Sequence, residues 1–572
     1  MAPPPLVRVW PHGSVLPAAS RWPELDDPAI LRRRPVGVAL SGGGSRAYCA
    51  SLGQLAALRQ LGLLDEIRYL SSVSGGAWAA AVCVARAEGD PPDAPAARLG
   101  RLSPPSRLSF ARLRRLCLSS ASHAVVRRSL AAEWVAALAR GATPATAWRD
   151  ALHATLLAPL ALPRGTPLTL SAASAAAIRK ANPPLAARGF AVCDGAPYAL
   201  FGAALLGPRA AAPFERAARA FVPLEISPLY VGVQQPLALR HAPHGEGRAT
   251  LYGGLVETFA FGAPAPRAAA AAAAGARLVR LPSLPSPLFS LEAALAASSY
   301  FAGAPLATVR RRRRRRRRGA ARGALRVPYW SPLASEPARE MLLADGGSLA
   351  NPPLIALLQR GVHTLLCFAN VGERLPPATE WDPDALAVHP DFSDDLPAFF
   401  GLRHPKAADS DAKWTERNAV FESAGFAPLV RALQLSQSRG RGAVAATEHT
   451  TVDNSWWGVA AGRRVRVVWF YICRAAEWEA QLPPEVRAAL PREAEAAPIL
   501  AARASPAELV RSVLENMRPA RGGRVSLDSF PQYPLTRLQL SAEQAAALHQ
   551  LSGWVVLEHA DLIRRVVRHS GT

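Results

Sequence analysis

Two short motifs near the start of the chain contain groups suited to nucleophilic chemistry. The first is a run of three glycines at positions 42–44, which follows an apolar stretch and precedes Arg46. The second is Ser74, which follows another apolar stretch and is itself followed by two glycines. Consecutive glycine amides can stabilise an oxyanion, and a serine on a sharp turn can attack a carbonyl carbon. The pair therefore indicates acyl-transfer chemistry.

A strand–loop–helix–strand–turn–helix unit is needed to position these motifs. Residues 36–40 and 70–73 are apolar runs of strand length, and Leu52, Leu55 and Ala56 between them have helical spacing. Gly62 is the expected end of that helix. Loops at the carboxyl ends of parallel strands lie on one edge of a sheet. The glycine loop and Ser74 are therefore expected to face each other.

The residues around Ser74 fit a nucleophile turn between a strand and a helix. Such a turn needs small residues two positions before and after the serine, and Ser72 and Gly76 meet that need. Ser71 and Ser72 are weaker candidates, because neither has a glycine two positions later and both belong to the strand. The alternative is an ordinary buried strand end.

The glycine loop is compatible with more than one ligand, but its flanks narrow the choice. A nucleotide P-loop would continue with Lys and Ser or Thr, whereas this loop continues with Ser45 and Arg46. A dinucleotide site would need an acidic residue after the second strand, where Ser74 stands instead. The remaining interpretation is an oxyanion hole formed by the amides of Gly43, Gly44 and Gly75.

Arg46 follows the loop at a place from which a guanidinium would bind a substrate phosphate in bidentate fashion. The alternative is an ordinary surface arginine, since the chain is rich in arginine.

The motif Ser-Gly-Gly-Gly-x-Arg-Ala at positions 41–47, followed by the Ser-Gly-Gly turn, resembles the patatin-like and group IV cytosolic phospholipase A2 superfamily. The resemblance implies an α/β fold with a central, mostly parallel sheet, flanking helices, and a cap or insertion. It also implies a Ser–Asp dyad that hydrolyses fatty-acyl esters of phospholipids or lysophospholipids. No metal and no cofactor are implied.

The same resemblance requires an Asp-Gly motif far downstream, and Asp345 follows an apolar strand there. Ser74 would be the nucleophile and Asp345 the general base, at the same edge of the sheet. Histidines that follow Asp345, such as His363 and His449, would suit a Ser–Asp–His order, but their context does not single them out. The other motif residues are Gly42, Gly76, Gly346 and Gly347.

One catalytic domain is expected over residues 34–572, after an N-terminal extension at 1–33. Insertions are expected at about 91–207 and 303–327, where the family likeness is lost. The extension is too short for a β-sandwich that binds lipid, so calcium is not expected to control membrane binding.

Cysteine spacing and hydropathy indicate a cytoplasmic protein with peripheral membrane association. No Cys-x-x-Cys pair occurs, so the cysteines are expected to be buried thiols in a reducing compartment. Neither a signal peptide nor a membrane-spanning segment is expected. These cysteines are Cys49, Cys83, Cys117, Cys193, Cys367 and Cys473.

The net charge of +24 comes almost wholly from arginine and includes the consecutive block Arg310–Arg318. Such a block suits an anionic membrane surface or nucleic acid, or is a low-complexity loop insertion. The expected partners are a phospholipid or lysophospholipid substrate and an anionic membrane surface, and no nucleic acid is expected. The alternative functions are a lipid transacylase, or an inactive arginine-rich protein that binds membranes or nucleic acid on a hydrolase fold.

Overall fold

The computed structural model describes residues 3–10, 22–127, 130–206, 221–240, 248–266, 276–301, 325–332, 338–406, 417–491 and 526–568. The strands, in chain order, are β1 Leu6–Trp10, β2 Arg34–Leu40, β3 Ile67–Ser72, β4 Arg86–Ala87, β5 Leu168–Thr169, β6 Ala191–Val192, β7 Tyr198–Leu206, β8 Val222–Ile226, β9 Tyr230–Val233, β10 Leu237–Arg240, β11 Arg248–Leu251, β12 Gly254–Glu257, β13 Arg277–Arg280, β14 Leu325–Tyr329, β15 Arg339–Asp345, β16 Thr364–Ala369, β17 Ala443–Thr450 and β18 Arg464–Tyr471.

The α-helices are Pro28–Leu31, Gly44–Gln60, Ser74–Val84, Ala94–Ala97, Phe110–Leu118, Ala124–Arg127, Leu130–Ala139, Pro144–Leu152, Ala172–Ala181, Leu291–Ser299, Ile355–Gln359, Asp395–Ala398, Phe426–Ser438, Ala476–Ala480, Pro484–Arg487, Ala542–Glu558 and Ala560–Arg568.

One mixed sheet organises the chain. Its strand order is β13-β1-β12-β9-β8-β7-β3-β2-β16-β18-β17, and β15 pairs with both β7 and β14. The central strands β7, β3, β2, β16 and β18 pair in parallel. The outer strands pair antiparallel, as in β8 with β9 and β17 with β18. The α/β class is therefore confirmed, with the parallel pairing confined to the centre of the sheet.

Helices cover both faces of the central strands. Along β2, Val36, Val38 and Leu40 pack into one buried cluster and Ala39 into another, because successive side chains of a strand point to opposite faces. The helix Ala542–Glu558 lies tightly against the helix Gly44–Gln60. A side chain at Gly53 would meet the His549 carbonyl oxygen at 2.0 Å, so this packing needs glycine.

Two stretches that the sequence sets apart from the core of the catalytic domain contribute strands to the main sheet. The N-terminal extension is part of the sheet, because β1 pairs with β12 and β13. The range of the insertion expected at about 91–207 contains β7, Tyr198–Leu206, which lies in the middle of the sheet. Both placements have one physical cause: strand pairing joins residues far apart in the chain, which local patterns do not reveal. Most of the insertion at 303–327, including Arg310–Arg318, lies outside the described residues.

All six cysteines are buried free thiols. None of the helices in the described ranges is both long enough and apolar enough to span a bilayer.

Candidate active site

Ser74 occupies the sharp turn that the motif predicts. Strand β3 ends at Ser72 and the helix Ser74–Val84 begins at Ser74 itself. Ser74 has a φ of +51°, a left-handed conformation that residues other than glycine rarely adopt. The neighbouring glycine is needed for space, since a side chain at Gly75 would lie 2.1 Å from the Gly44 carbonyl oxygen. The turn therefore brings the backbone around Ser74 into close contact with the glycine loop.

Ser74 and Asp345 are brought together. The Ser74 hydroxyl donates to Asp345 Oδ2 at 2.8 Å, and the Gly347 amide donates to Asp345 Oδ1 at 2.8 Å. Ser74 is 5% exposed and Asp345 is 8% exposed. Burial raises the pKa of Asp345 to about 6, although the hydrogen bonds from Ser74 and Gly347 oppose the rise. The carboxylate is thus ionised near neutral pH but is a stronger base than an exposed aspartate.

Asp345 reaches the serine from a direction that the sequence did not indicate. Strand β3 runs parallel to β7 as far as Phe201, whereas β15 runs antiparallel to β7 and ends opposite Ala203. Strand β8 occupies the other edge of β7, so β3 and β15 lie end to end along one edge. Their carboxyl ends converge at Gly202. The expectation that Asp345 ends a strand is confirmed, but that strand runs opposite to β3.

Side-chain contacts fix the glycine loop beside Ser74. The Gly42 amide donates to Asn351 Oδ1 at 2.7 Å, and Asn351 Nδ2 donates to Asp395 Oδ2 at 3.0 Å. A side chain at Gly42 would lie 2.9 Å from Ser74 Cβ, so only glycine lets the loop approach the serine. The Gly42 amide therefore already donates its hydrogen bond to a side chain of the protein.

The next two glycines have the left-handed backbone that turns their amides at the start of a helix. Gly43 has a φ of +139° and Gly44 a φ of +58°, and the helix begins at Gly44. The first amides of a helix have no carbonyl partner within it, and they carry partial positive charge. Gly75 lies in the first turn of the other helix, Ser74–Val84. The oxyanion hole expected from the amides of Gly43, Gly44 and Gly75 stays a prediction.

Arg46 is directed into the protein. Its Nε donates to the Asn370 carbonyl at 3.0 Å and its Nη1 to the Tyr533 carbonyl, and the residue is 5% exposed. Burial lowers its pKa to about 10. These contacts favour a structural arginine that supports the glycine loop, so the phosphate-binding role stays a prediction.

The two histidines considered from the sequence have other partners. His363 Nδ1 contacts the Arg464 carbonyl oxygen, and His449 Nε2 contacts Thr447 and Trp469. Neither is bound to Ser74 or Asp345, so the described residues contain a pair here rather than a triad. Within the described ranges, no group of three or more His, Cys, Asp or Glu side chains is placed to bind a metal ion.

Two residues at the site escaped the sequence analysis. No sequence motif singles out Asn351, although its side chain accepts a hydrogen bond from the Gly42 amide. Gly202 lies in the middle of β7, where a side chain would meet Val73 Cγ1 at 2.8 Å. A glycine inside an apolar strand is a signal of close backbone approach, and it could have identified this position.

Comparisons with known proteins give short sequence matches and extended structural matches of low identity. No family model matches the chain. Cytosolic phospholipase A2 gamma of Mus musculus is 59% identical over 39 residues, which is 7% of this chain and 6% of that protein. Cytosolic phospholipase A2 zeta of Homo sapiens is 48% identical over 56 residues, 10% of this chain and 6% of that protein.

The solved structure of human GIVD cytosolic phospholipase A2 aligns with 94% of this chain and 63% of its own, with a TM-score of 0.45 and 16% identity. The matched sequence segments span 6% of each of the two relatives just named. The two relatives matched in sequence are cytosolic phospholipases A2, and the resemblance to that family that the motifs indicate is thereby confirmed.

Proposed function

We propose that this protein is a serine hydrolase that cleaves fatty-acyl esters of phospholipids or lysophospholipids, with Ser74 as nucleophile and Asp345 as general base. The observation that carries the proposal is the 2.8 Å hydrogen bond from the Ser74 hydroxyl to Asp345 Oδ2. Nucleophile and base within such reach, beside amides at the starts of two helices, are the parts that acyl transfer needs. The similarity to cytosolic phospholipases A2 supports the substrate class.

In the first step, Asp345 takes the hydroxyl proton while Ser74 Oγ attacks the ester carbonyl carbon. The carbonyl oxygen becomes negative, and the amides of Gly43, Gly44 and Gly75 stabilise it. Each such donor is worth about 3 kcal/mol in comparable sites. Asp345 then gives the proton to the departing alcohol oxygen of the lipid, and an acyl-enzyme on Ser74 remains.

In the second step, Asp345 takes a proton from water, whose oxygen attacks the acyl-enzyme. Collapse of the intermediate releases the fatty acid and returns the proton to Ser74 Oγ. The pKa of about 6 suits Asp345 to both directions of proton transfer near neutral pH. Neither a metal ion nor a cofactor takes part in the proposed steps.

The proposed setting is the cytoplasm, with peripheral contact between the protein and an anionic membrane. The net charge of +24 favours an anionic surface. We do not propose nucleic acid as a partner, because the reactive residues of the proposal, Ser74 and Asp345, are those of an ester hydrolase. Arg46 is retained as a phosphate-binding prediction: Arg46→Ala should impair a phospholipid far more than an uncharged ester. Equal losses would indicate its structural role alone.

The test is hydrolysis of a panel of labelled phospholipids and lysophospholipids by the full chain, with a calcium chelator present. Ser74→Ala and Asp345→Asn should each lower kcat by at least about 1,000-fold, because each removes a group that acts in the chemical step. Ser72→Ala is the matched control. Ser72 is a buried serine at the end of β3, two residues before Ser74, and its hydroxyl donates to the Leu200 carbonyl. It should retain activity within about threefold.

Two results would contradict the proposal. One is hydrolysis that survives in Ser74→Ala. The other is release of acyl groups to an added alcohol but not to water, which would identify a transacylase.

A further inference from the structure

A buried hydroxyl outside the three motifs binds the backbone of the proposed nucleophile. The Ser74 amide donates to Ser298 Oγ at 3.1 Å, and the Ser298 hydroxyl donates to the Gly202 carbonyl at 2.7 Å. Ser298 has no exposed surface and lies near the end of the helix Leu291–Ser299. Its single hydroxyl thus both accepts and donates, so its hydrogen is directed toward Gly202 and its lone pair toward Ser74.

This bridge lies where the two strands of the dyad converge. Gly202 is the β7 residue between the part of β7 that pairs with β3 and the part that pairs with β15. A side chain at Gly346, directly after Asp345, would lie 2.2 Å from the Gly202 carbonyl oxygen. Ser298 therefore connects the start of the Ser74 helix to the backbone against which the Asp345 turn packs.

The conformation of Ser74 requires such support. A left-handed backbone costs a residue other than glycine about 1–2 kcal/mol, and it persists only where surrounding contacts impose it. A change in φ rotates the Ser74 side chain relative to the Ser74 amide, so a fixed amide limits where the hydroxyl can point. Its hydrogen bond to Ser298 is a contact that opposes relaxation of the turn.

We propose that Ser298 is a positioning residue, which holds Ser74 in its left-handed turn and thereby keeps the Ser74 hydroxyl on Asp345. This inference rests on the proposed function of Ser74 and Asp345. Ser298 touches neither the substrate carbonyl nor the transferred proton in this scheme, and it acts through the backbone of Ser74.

A positioning role has a consequence that loss of packing alone does not have. The hydrogen bond from Ser74 lowers the pKa of Asp345 against the larger effect of burial. If the Ser74 hydroxyl moves away, that pKa rises further. The acidic limb of the pH–rate profile should then move to higher pH together with the fall in kcat.

The test compares Ser298→Ala with Ser299→Ala in the full chain. Ser299 is the matched control because it is the next residue of the same helix and is 1% exposed. Its hydroxyl donates to the Leu295 carbonyl and accepts from Trp148 Nε1, away from the serine turn. Alanine is favourable in a helix, so both variants are expected to fold.

Ser298→Ala should lower kcat for a short-chain ester about 10- to 100-fold with KM nearly unchanged, because the reacting groups are misplaced rather than the substrate released. The acidic limb of its pH–rate profile should shift to higher pH. Ser299→Ala should retain the parent kcat within about twofold, and the acidic limb of its profile should not shift. Equal losses in the two variants, or a limb that does not move in Ser298→Ala, would overturn the proposal.

A crystal structure of Ser298→Ala separates this inference from the proposed function. An ordinary φ at Ser74, with its Oγ beyond about 3.5 Å from Asp345 Oδ2, supports positioning even if the parent hydrolyses no ester. If the parent protein is active and Ser74 has not moved in the Ser298→Ala structure, the positioning role is overturned and the proposed function stays intact.

Discussion

Asp345 and Glu24 are both buried carboxylates of this fold, but only Glu24 has a buried cation beside it. Arg360 Nε donates to Glu24 Oε1 at 2.8 Å, and both side chains have no exposed surface. Asp345 accepts from a hydroxyl and an amide, and no cation is paired with it in the part of the chain that the structure describes. The same kind of group is thus buried in two different electrostatic settings.

The paired setting is a structural cluster. Arg360 also donates to Glu225 Oε2 at 3.0 Å and to the Tyr230 hydroxyl at 2.7 Å, and it lies over the Trp22 ring at 4.1 Å. Burial alone would lower the pKa of Arg360, but the neighbouring carboxylates and Tyr230 raise it well above its usual value. This cluster ties the N-terminal segment to the sheet.

The difference shows how burial can serve either stability or chemistry. Burial raises the pKa of Glu24 as well, but the Arg360 guanidinium opposes the rise. At Asp345, burial acts without a cation and brings the pKa to about 6. An unpaired carboxylate of this kind stores unfavourable solvation energy that proton uptake from Ser74 relieves.

Breaking the paired cluster should have the largest effect on stability. Arg360→Met leaves Glu24 and Glu225 buried without a cation, which should lower the free energy of unfolding by about 3–5 kcal/mol at neutral pH. The loss should shrink in acid, where Glu24, whose pKa burial raises, takes up a proton. Chemical denaturation at two pH values measures both effects.

Arg374→Met is the matched control for that variant. Arg374 also lies between two carboxylates, but Glu380 and Asp391 are 47% and 38% exposed. The expected loss is below about 1 kcal/mol. Equal losses in the two variants would contradict the contrast between buried and exposed pairs.

Displacing the unpaired carboxylate should abolish most activity. A side chain at Gly346 would lie 2.2 Å from the Gly202 carbonyl oxygen, so Gly346→Ala must shift the end of β15 and with it Asp345. Misplacement by about 1 Å is enough to lower kcat about 100-fold. The measurement is ester hydrolysis by the folded variant.

Gly89→Ala makes the same change where no heavy atom lies within 4 Å. It should retain the parent kcat. Full activity in Gly346→Ala would mean that the turn after Asp345 tolerates movement.

Neutralising Asp345 should stabilise the fold while it removes activity. The folded pKa of about 6 exceeds the ordinary 3.8, so the folded state binds the proton more tightly than the unfolded chain. Ionisation therefore lowers stability as pH rises between these values, and the loss is complete above pH 6. Asp345→Asn should raise the free energy of unfolding on the order of 1–3 kcal/mol at about pH 7.5, with no gain at about pH 4.

Asp391→Asn should behave in the opposite way. Hydrogen bonds and charge from Arg374 and Lys406 outweigh partial burial and lower the pKa of Asp391, so its ionised form stabilises the fold. Its neutral variant should be slightly less stable than the parent at neutral pH. A stability gain in both variants would show that the effect at Asp345 is not electrostatic.

The smallest expected effect is in the pH–rate profile, which should show the ionisation of Asp345. On an uncharged short-chain ester, kcat/KM should fall about tenfold per pH unit below pH ~6, because protonated Asp345 cannot take the serine proton. An acidic limb near the ordinary aspartate pKa of 3.8 would mean that burial does not tune this base.

The sequence alone predicts that Ser74 and Asp345 lie together, as they do in the structure, but it does not predict the architecture that joins them. Ser74 and Asp345 each carry a local signature of small residues after an apolar strand, because the turns themselves need glycine. The antiparallel entry of β15 and the place of β7 depend on pairing across long chain separations. Local patterns contain no information about that register.

The sequence also could not predict the directions and contacts of side chains. The motif placed Arg46 correctly at the end of the glycine loop, but its guanidinium reaches the Asn370 and Tyr533 carbonyls from distant parts of the chain. Ser298 lies outside the three sequence motifs. Its partners, Ser74 and Gly202, become neighbours only when the sheet forms.

The most direct test of the dyad is covalent labelling of the full chain with an alkyl fluorophosphonate, followed by peptide mapping. The reagent phosphonylates an activated serine, so the adduct should lie on Ser74, form slowly in Asp345→Asn and be absent in Ser74→Ala. An adduct on a different serine, with hydrolysis retained in Ser74→Ala, would contradict the assignment of Ser74 and Asp345 as the reacting pair.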